Sequence, residues 1–405
     1  MIDKNLFLYD LAVVAILKNE GHYLKEWLDY HLLAGVEHFY LYDNDSTDNQ
    51  AEVVAPYVAA GLVDYIPAPG KAMQMPVYND AVKKFKFFCR YMAFIDGDEF
   101  IYPKTDNRGG VIEIVDEILS RDLNAAGLAI NWQVFGSNGQ ETIDYSRGVL
   151  ERFTRRAPSD WVRLKSPCGN NLIKTIFNPR LMNFIPEPHF GIYFESFYSI
   201  NENGGIVNGL FNNPVTAEKI AVNHYYVKSR EEYTKKVNRG RSDVLVKRNL
   251  EDFHLHDRNE VFDDGILKYR AARAENFTLE SDEDRINRVT EALTEILSGY
   301  AAGKNFGLET ALTCRAVSNY LNLKVHEEAS VAAILNSLKG ITIAEAQLLI
   351  RDLPNILRLP YPLVKEIRNV ALNILTQFMD VAKIRLNWSY YMELDYIKSL
   401  LMEVI

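Results

Sequence analysis

The spacing of apolar residues along this 405-residue chain changes several times, and each change marks a different kind of element. Residues 11–17, LAVVAIL, are apolar without a break, as in a strand covered on both faces. Leu24, Trp27, Leu28, His31 and Leu32 then recur at helical spacing within 20–34, and Gly35 stops the helix. The alternation repeats. Strands are predicted over 38–43, 63–68, 91–96 and 127–135, with helices over 48–60, 74–89 and 111–121 between them. Such strand–helix units predict an α/β fold with a mostly parallel sheet and helices on both faces. Ligands of these sheets bind beyond the carboxyl ends of the strands.

From about 149 to 227 the pattern breaks into short aromatic and β-branched runs, LIKTIF, FGIYFESFYSI and KIAVNHYYV. Asn, Gly and Pro clusters separate them, which predicts irregular and antiparallel β structure added to the sheet. A helix follows over 229–238. Its first residues, SREE, form a capping box with Ser229 as N-cap and Glu232 three residues on. Beyond about 280 the spacing is helical: Ile286, Val289, Leu293, Ile296 and Leu297 share a face, and further stripes lie within 328–338, 343–352 and 363–382. The chain therefore divides into residues 1–275, an α/β domain, and residues 276–405, a C-terminal all-helical domain for acceptor or partner binding.

Composition narrows the function without naming it. The net charge of −9 argues against a general nucleic-acid binder, which needs a basic footprint. Cys89, Cys168 and Cys314 are odd in number and far apart, so neither a disulfide framework nor a zinc site is indicated. The N-terminus is acidic where a signal peptide is basic, and no apolar run approaches the ~20 residues of a membrane span. A cytoplasmic protein is expected, with docking on the inner membrane face left open. Aromatic residues make up 12% of the chain, more than a core alone asks for, and Tyr and Trp suit stacking on sugars or bases.

The chemistry gathers at the strand ends. YMAFI-DGDEF places Asp96, Asp98 and Glu99 directly after an apolar strand, where two carboxylates one residue apart can grip Mg²⁺ or Mn²⁺. The alternative is an Asp-Gly hairpin turn. After the second strand, YDNDSTDN brings Asp43, Asp45 and Asp48 together. Asp43 is the better ligand candidate, for a base or ribose, and Asp48 reads as a helix cap. After the first strand, Lys18, Asn19 and Glu20 offer a cation and two hydrogen-bonding groups; equally, Asn19 caps the helix with Glu20 in its first turn.

The segments VAILKNEGHYLKEWLDYHLLAGVEHFYLYDNDSTDN and FIDGDEFIYP, continued by NWQVFGSNG, KTIFNP and NHYYVKSREEYTKKVNRG, resemble the GT-A nucleotide-sugar glycosyltransferases, in the family-2-like and family 92 group. The resemblance covers about 11–103 closely, continues in pieces to 240, and does not reach the C-terminal helices. It implies a GT-A, Rossmann-like sheet. It also implies that Asp96 and Asp98 hold Mn²⁺ or Mg²⁺ on the donor diphosphate. Asp43 and Asp45, with Lys18, Asn19 and Glu20, would line the nucleotide. His224 is the implied third metal ligand, with His189 as competitor.

In the basic stretch after His224, Lys228 and Arg239 are the candidates for a leaving diphosphate, the rest being a solvated helix face. Trp132, Phe135 and Gly136 suggest a loop over the sugar or acceptor, with core packing as the alternative for Trp132. No motif identifies the carboxylate that deprotonates the acceptor. Glu187 is the candidate, with Asp160 and Glu141 as rivals. The expected partners are a nucleotide-sugar donor, UDP-linked by preference, and a glycan or glycolipid acceptor in surface-polysaccharide synthesis. Two other classes stay open: a non-catalytic sugar-binding scaffold, and a sugar nucleotidyltransferase, whose glycine- and lysine-rich phosphate loop is absent after the first strand.

Overall fold

The unbroken apolar runs become the middle of a ten-stranded sheet. The computed structural model describes residues 2–104, 110–162, 169–239, 249–304 and 306–338, with scattered positions beyond. The first strands are β1 (Tyr9–Leu17), β2 (His38–Asp43), β3 (Val63–Pro67) and β4 (Cys89–Phe94). They alternate with α1 (Gly21–Leu33), α2 (Gln50–Ala59) and α3 (Gln74–Phe85). β1 is buried at every position but Asp10, so both of its faces are covered, as its lack of polar residues requires. It pairs in parallel with β2 and β4, and β2 with β3. Gly35 and Gly61, at φ of +98° and +70°, end the turns after the first two helices.

The chain then gives β5 (Glu99–Pro103), α4 (Val111–Leu119), β6 (Ala125–Val134), α5 (Val149–Arg152) and β7 (Arg155–Arg156). The stretch predicted to be irregular and antiparallel supplies β8 (Ile173–Phe177), the hairpin β9 (Met182–Glu187) and β10 (Phe190–Tyr193), and β11 (Tyr198–Ile200), β12 (Ile206–Val207) and β13 (Ile220–His224). Across the sheet the order is β12, β11, β6, β8, β4, β1, β2, β3. β8 is therefore an interior strand, antiparallel to β6 and β4 on its two sides. β13 joins β6 in parallel and β5 antiparallel. After it come α6 (Arg230–Arg239), α7 (Asp252–His256), β14 (Val261–Phe262) and α8 (Gly265–Ala274).

The chain divides into Tyr9–Asp282 and a second unit made of Met1–Leu8 with Glu283–Ile405. The sequence reading puts the break at 275/276. In the second unit, helices α9 (Asp282–Ala301), α10 (Leu308–Tyr320) and α11 (Lys324–Ser337) follow one another. Arg288 of α9 donates to the carbonyls of Asn5 and Phe7, fastening the first residues to this unit. Val289, Leu293 and Leu297 are buried as expected, but Ile286 is 45% exposed, and Ala292 takes its share of the buried face. The stripes within 343–352 and 363–382 lie largely outside the described residues. No helix among the described residues is long and apolar enough to cross a membrane.

Candidate active site

The turn between β4 and β5 is built by its neighbours. β5 pairs with β13 and not with β4, so the Asp-Gly hairpin does not form. Instead Asp96 N–H donates to Glu99 Oε2 at 2.8 Å and Glu99 N–H to Asp96 O at 3.0 Å. A Cβ on Gly97 would stand 2.9 Å from Leu17 Cδ2 and 3.5 Å from Glu20 Cγ, so a glycine lets the ends of β1 and β4 close together. From the other side, three polar tips on one face of α1 grip β5. Trp27 Nε1 donates to Glu99 O at 2.8 Å and Tyr30 Oη to Ile101 O at 2.9 Å, while Ile101 N–H donates to His31 Nε2 at 3.2 Å. His31 Nδ1, which must then carry the proton, donates to Trp27 O at 2.8 Å. Burial pushes the His31 pKa down to about 3.

The two aspartates of the turn face different cations. Asp96 Oδ1 accepts from Gln74 Nε2 at 2.9 Å, and Asp96 Oδ2 lies 3.1 Å from Lys174 Nζ. Lys174 comes from the interior strand β8 and is 1% exposed; its ammonium also lies 3.3 Å from Glu99 Oε2. Burial opposes its charge, but Asp96 and Glu99 hold its pKa above the ordinary lysine value. Burial pushes Glu99 up to about 8, against the pull of Lys174. Asp98 meets Lys236 instead, with Oδ2 to Nζ at 2.5 Å. Burial works against its charge too, yet Lys236 and His224 hold its carboxyl well below the usual range.

The register of β13 sets His224 beside Glu99 on one side and Val134 on the other. Its Nε2 is 3.6 Å from Asp98 Oδ1, and Tyr225 N–H donates to Asp98 O at 2.9 Å. Burial lowers the His224 pKa. Trp132 lies between two imidazoles, its ring 4.2 Å from that of His224 and 5.0 Å from that of His189. His189 sits at the β9–β10 turn and its Nδ1 is 2.7 Å from Ile173 O, which fixes the proton on Nδ1.

The ends of β1 and β2 are tied by Gln50, the first residue of α2 and fully buried. Its Oε1 accepts from Glu20 N–H at 3.1 Å, and its Nε2 donates to Asp43 Oδ1 and to Tyr65 Oη, both at 3.1 Å. Asn19, at φ +54°, caps the other loop, accepting from Thr47 N–H and Asp48 N–H. Asp48 accepts from Gly21 N–H and Gln50 N–H, and so serves both helix starts. Asp45 is exposed and holds Gly70 N–H. Arg239 reaches back from the end of α6 to the carbonyls of Lys18 and Asn19 and to Glu20 Oε1 at 2.5 Å.

The start of α6 is the capping box read from the sequence. Ser229 N–H donates to Glu232 Oε2 at 2.9 Å, and Glu232 N–H to Ser229 Oγ at 3.3 Å. Arg152 grips both oxygens of Glu232 at 3.0 and 2.7 Å, and Tyr23 Oη donates to Oε1. This bracket holds Lys228, just before the helix, in a left-handed conformation at φ +52°. Lys228 is 6% exposed. Its ammonium lies 4.2 Å from the centre of the Tyr23 ring and makes no hydrogen bond or ion pair among the described residues.

The family model of glycosyltransferase family 92 matches residues 14–258, from the first strand to the loop after α7. The chain belongs to glycosyltransferase family 92. A family 92 protein of Ricinus communis is 26% identical over 36% of this chain and 26% of its own length. One of Oryza sativa subsp. japonica is 28% identical over 45% of this chain and 30% of its own. The chain thus spans under a third of the length of these relatives. Among solved structures, S. aureus TarS 1–349 in complex with UDP is similar over 90% of this chain and 89% of its own, at 13% identity and a TM-score of 0.30.

In this family 92 chain, Asp96, Asp98, His224, Lys228, Trp132 and His189 come together, and Asp43 and Glu20 line the neighbouring strand ends. Four of the expected residues meet obstacles. Phe135 is fully buried against Tyr225, and a Cβ on Gly136 would strike Arg258 O at 2.4 Å, so neither is open to a sugar. Trp132 is 8% exposed with imidazoles beside its ring, which leaves little room for a pyranose on its face. Arg239 is committed to the Lys18–Glu20 loop. Glu187 accepts from His189 N–H at 2.8 Å at the hairpin turn, whereas Asp160 and Glu141 are exposed.

No three His, Cys, Asp or Glu side chains among the described residues form a metal-binding group. Asp98 and His224 nonetheless fit part of one. An oxygen and a nitrogen 3.6 Å apart suit two ligands of a cation with bonds of about 2.0–2.2 Å. Mg²⁺-like ions are commonly completed by water and substrate phosphate. Asp96 has Lys174 and Gln74 as its partners instead. Gln50, Gln74, Lys174 and Lys236 are the site residues that sequence reasoning misses. A lone lysine in the apolar run around 172–177 is the one signal that could have pointed to Lys174.

Proposed function

We propose that this chain transfers a sugar from a nucleotide-diphosphate donor to a hydroxyl of a glycan or glycolipid. The observation that carries the reading is Lys228: a nine-tenths buried lysine whose ammonium makes no hydrogen bond or ion pair among the described residues, in the field of Asp98. Burying a charge unpaired is costly, so such a group is best explained by an anion that arrives with the substrate. Asp98 and His224 would hold Mn²⁺ or Mg²⁺, which neutralises the diphosphate as it leaves. Lys228 adds a second, fixed positive charge for the same oxygens. Asp43 would accept hydrogen bonds from the base or ribose, with Asn19, Glu20 and Gln50 shaping the loop around it. Glu187 is the proposed base that takes the acceptor proton, with inversion at the sugar carbon. Work at the inner membrane face on surface polysaccharide fits this reading.

A panel of nucleotide sugars with Mn²⁺ tests it. One donor should be turned over, and Asp98→Ala should lower kcat/KM by about 10³-fold or more, as expected for a group stabilising developing charge. Glu187→Gln should abolish transfer to acceptor and spare donor binding. A protein that binds and hydrolyses no nucleotide sugar is a scaffold instead.

A further inference from the structure

Lys174 is the most deeply buried cation at the site, and its placement exceeds what pairing with Glu99 requires. It stands on β8, whose ladders to β6 and β4 leave its backbone no freedom to withdraw. Its ammonium lies between Glu99, which is fully buried, and Asp96, whose side chain is 36% exposed. Gln74, itself 3% exposed, donates to the other Asp96 oxygen and to Tyr78 Oη. Each oxygen of Asp96 thus has one fixed donor from the protein interior and one lone pair left over. Asp98, two residues on, is held by other groups: His224 of β13 and the lysine of α6.

Resting on the glycosyl-transfer reading, we propose that Lys174, with Gln74, is a positioning residue. It keeps Asp96 out of the cation's coordination sphere and commits it to accepting hydrogen bonds from donor hydroxyls. Two adjacent carboxylates would otherwise compete for one divalent ion. A lysine anchored in the sheet interior divides the work between them: Asp98 serves the cation and Asp96 the hydroxyls. Lys174 touches neither ligand, since its side chain is 1% exposed.

The test is a double-mutant cycle on the full chain, with Mn²⁺ affinity read by electron paramagnetic resonance in the absence of donor. Asp96→Asn should change the affinity of the wild-type background by no more than about twofold, because Asp96 is not a ligand there. In the Lys174→Met background the freed carboxylate reaches the ion, and Asp96→Asn should then cost roughly tenfold. Loss of the lysine's field alone shifts both arms equally, and lost packing alone produces no coupling, so additive effects overturn the assignment. If Lys174→Met does not fold, Gln74→Leu, which changes no charge, replaces it in the same cycle. Donor KM should rise about tenfold in either single variant. Wild-type protein that binds no Mn²⁺ and turns over no nucleotide sugar overturns this assignment and the transferase reading together. Turnover in the wild type with an additive cycle overturns this one alone.

Discussion

Asp96 and Asp98 are separated by a single glycine yet are secured by different kinds of structure. Asp96 belongs to the floor of the site: its cation stands on an interior strand, where Lys174 is paired with Ile130 of β6. Asp98 belongs to the wall. Its cation, Lys236, reaches in on a long stem from α6, donates to Tyr226 O at 2.9 Å and stands 3.9 Å from the centre of the Tyr226 ring. Charges that must stay in one place are fixed through the sheet. Charges that must give way to a ligand are presented from a helix that is itself anchored by a capping box and one buried ion pair.

That anchor is where the wall breaks most easily. Arg152→Met leaves Glu232 buried without its cation, and urea unfolding should show a loss of about 3–5 kcal/mol. Donor KM should rise as well, because Lys228 and Lys236 flank the same cap. A loss below about 1 kcal/mol would mean that the capping box alone holds α6.

The floor has an acid weakness instead. His31 must be neutral to accept from Ile101 N–H, and burial sets its folded pKa at about 3, below the ordinary value of about 6.5. A depressed imidazole pKa favours the unfolded state as protons are added. Its contribution is intact above pH 6.5 and is lost as pH falls from there toward 3. Between pH 7 and 5 the cost is on the order of 2 kcal/mol. His31→Gln should be less stable at pH 7 and lose less on acidification; equal pH slopes in the two proteins would exclude His31 as the source.

Lys236→Met is the mildest change. Stability should fall by about 1–2 kcal/mol, since a nearly buried charged hydrogen bond is removed while His224 and Lys228 stay beside Asp98. Mn²⁺ should bind a few-fold more tightly once Asp98 has no rival cation. Weaker Mn²⁺ binding would make Lys236 part of the floor after all.

Much of this floor and wall can be read from the sequence, up to the point where partners lie far apart in the chain. The strands at 11–17 and 38–43 and the helix after Lys18 follow from local periodicity, and Ser229 with Glu232 is a four-residue pattern. The strand-end position of Asp96 and Asp98 follows from the apolar run before them. Lys174 does not, because LIKTIF reads the same at a sheet edge as in its interior; its burial depends on β8 entering between β6 and β4. Arg152 and Glu232 meet across 80 residues, which no spacing rule spans. Gln50 and Gln74 open helices, where a polar residue is ordinary. Ile286 fails for the opposite reason. Its spacing puts it on the same face as Val289, Leu293 and Leu297, but it stands near the start of α9 and is 45% exposed, so periodicity alone does not decide its burial.

The three polar tips of α1 on β5 have a consequence beyond holding the turn. Among the described residues β5 pairs with a strand on one side only, and an unpaired strand edge is a template for recruiting other chains. Trp27, Tyr30 and His31 occupy the Glu99 and Ile101 groups that such a recruit would need. The helix face that fixes the acidic turn also makes this edge of the sheet unreadable to a stray strand, guarding the protein against aggregation.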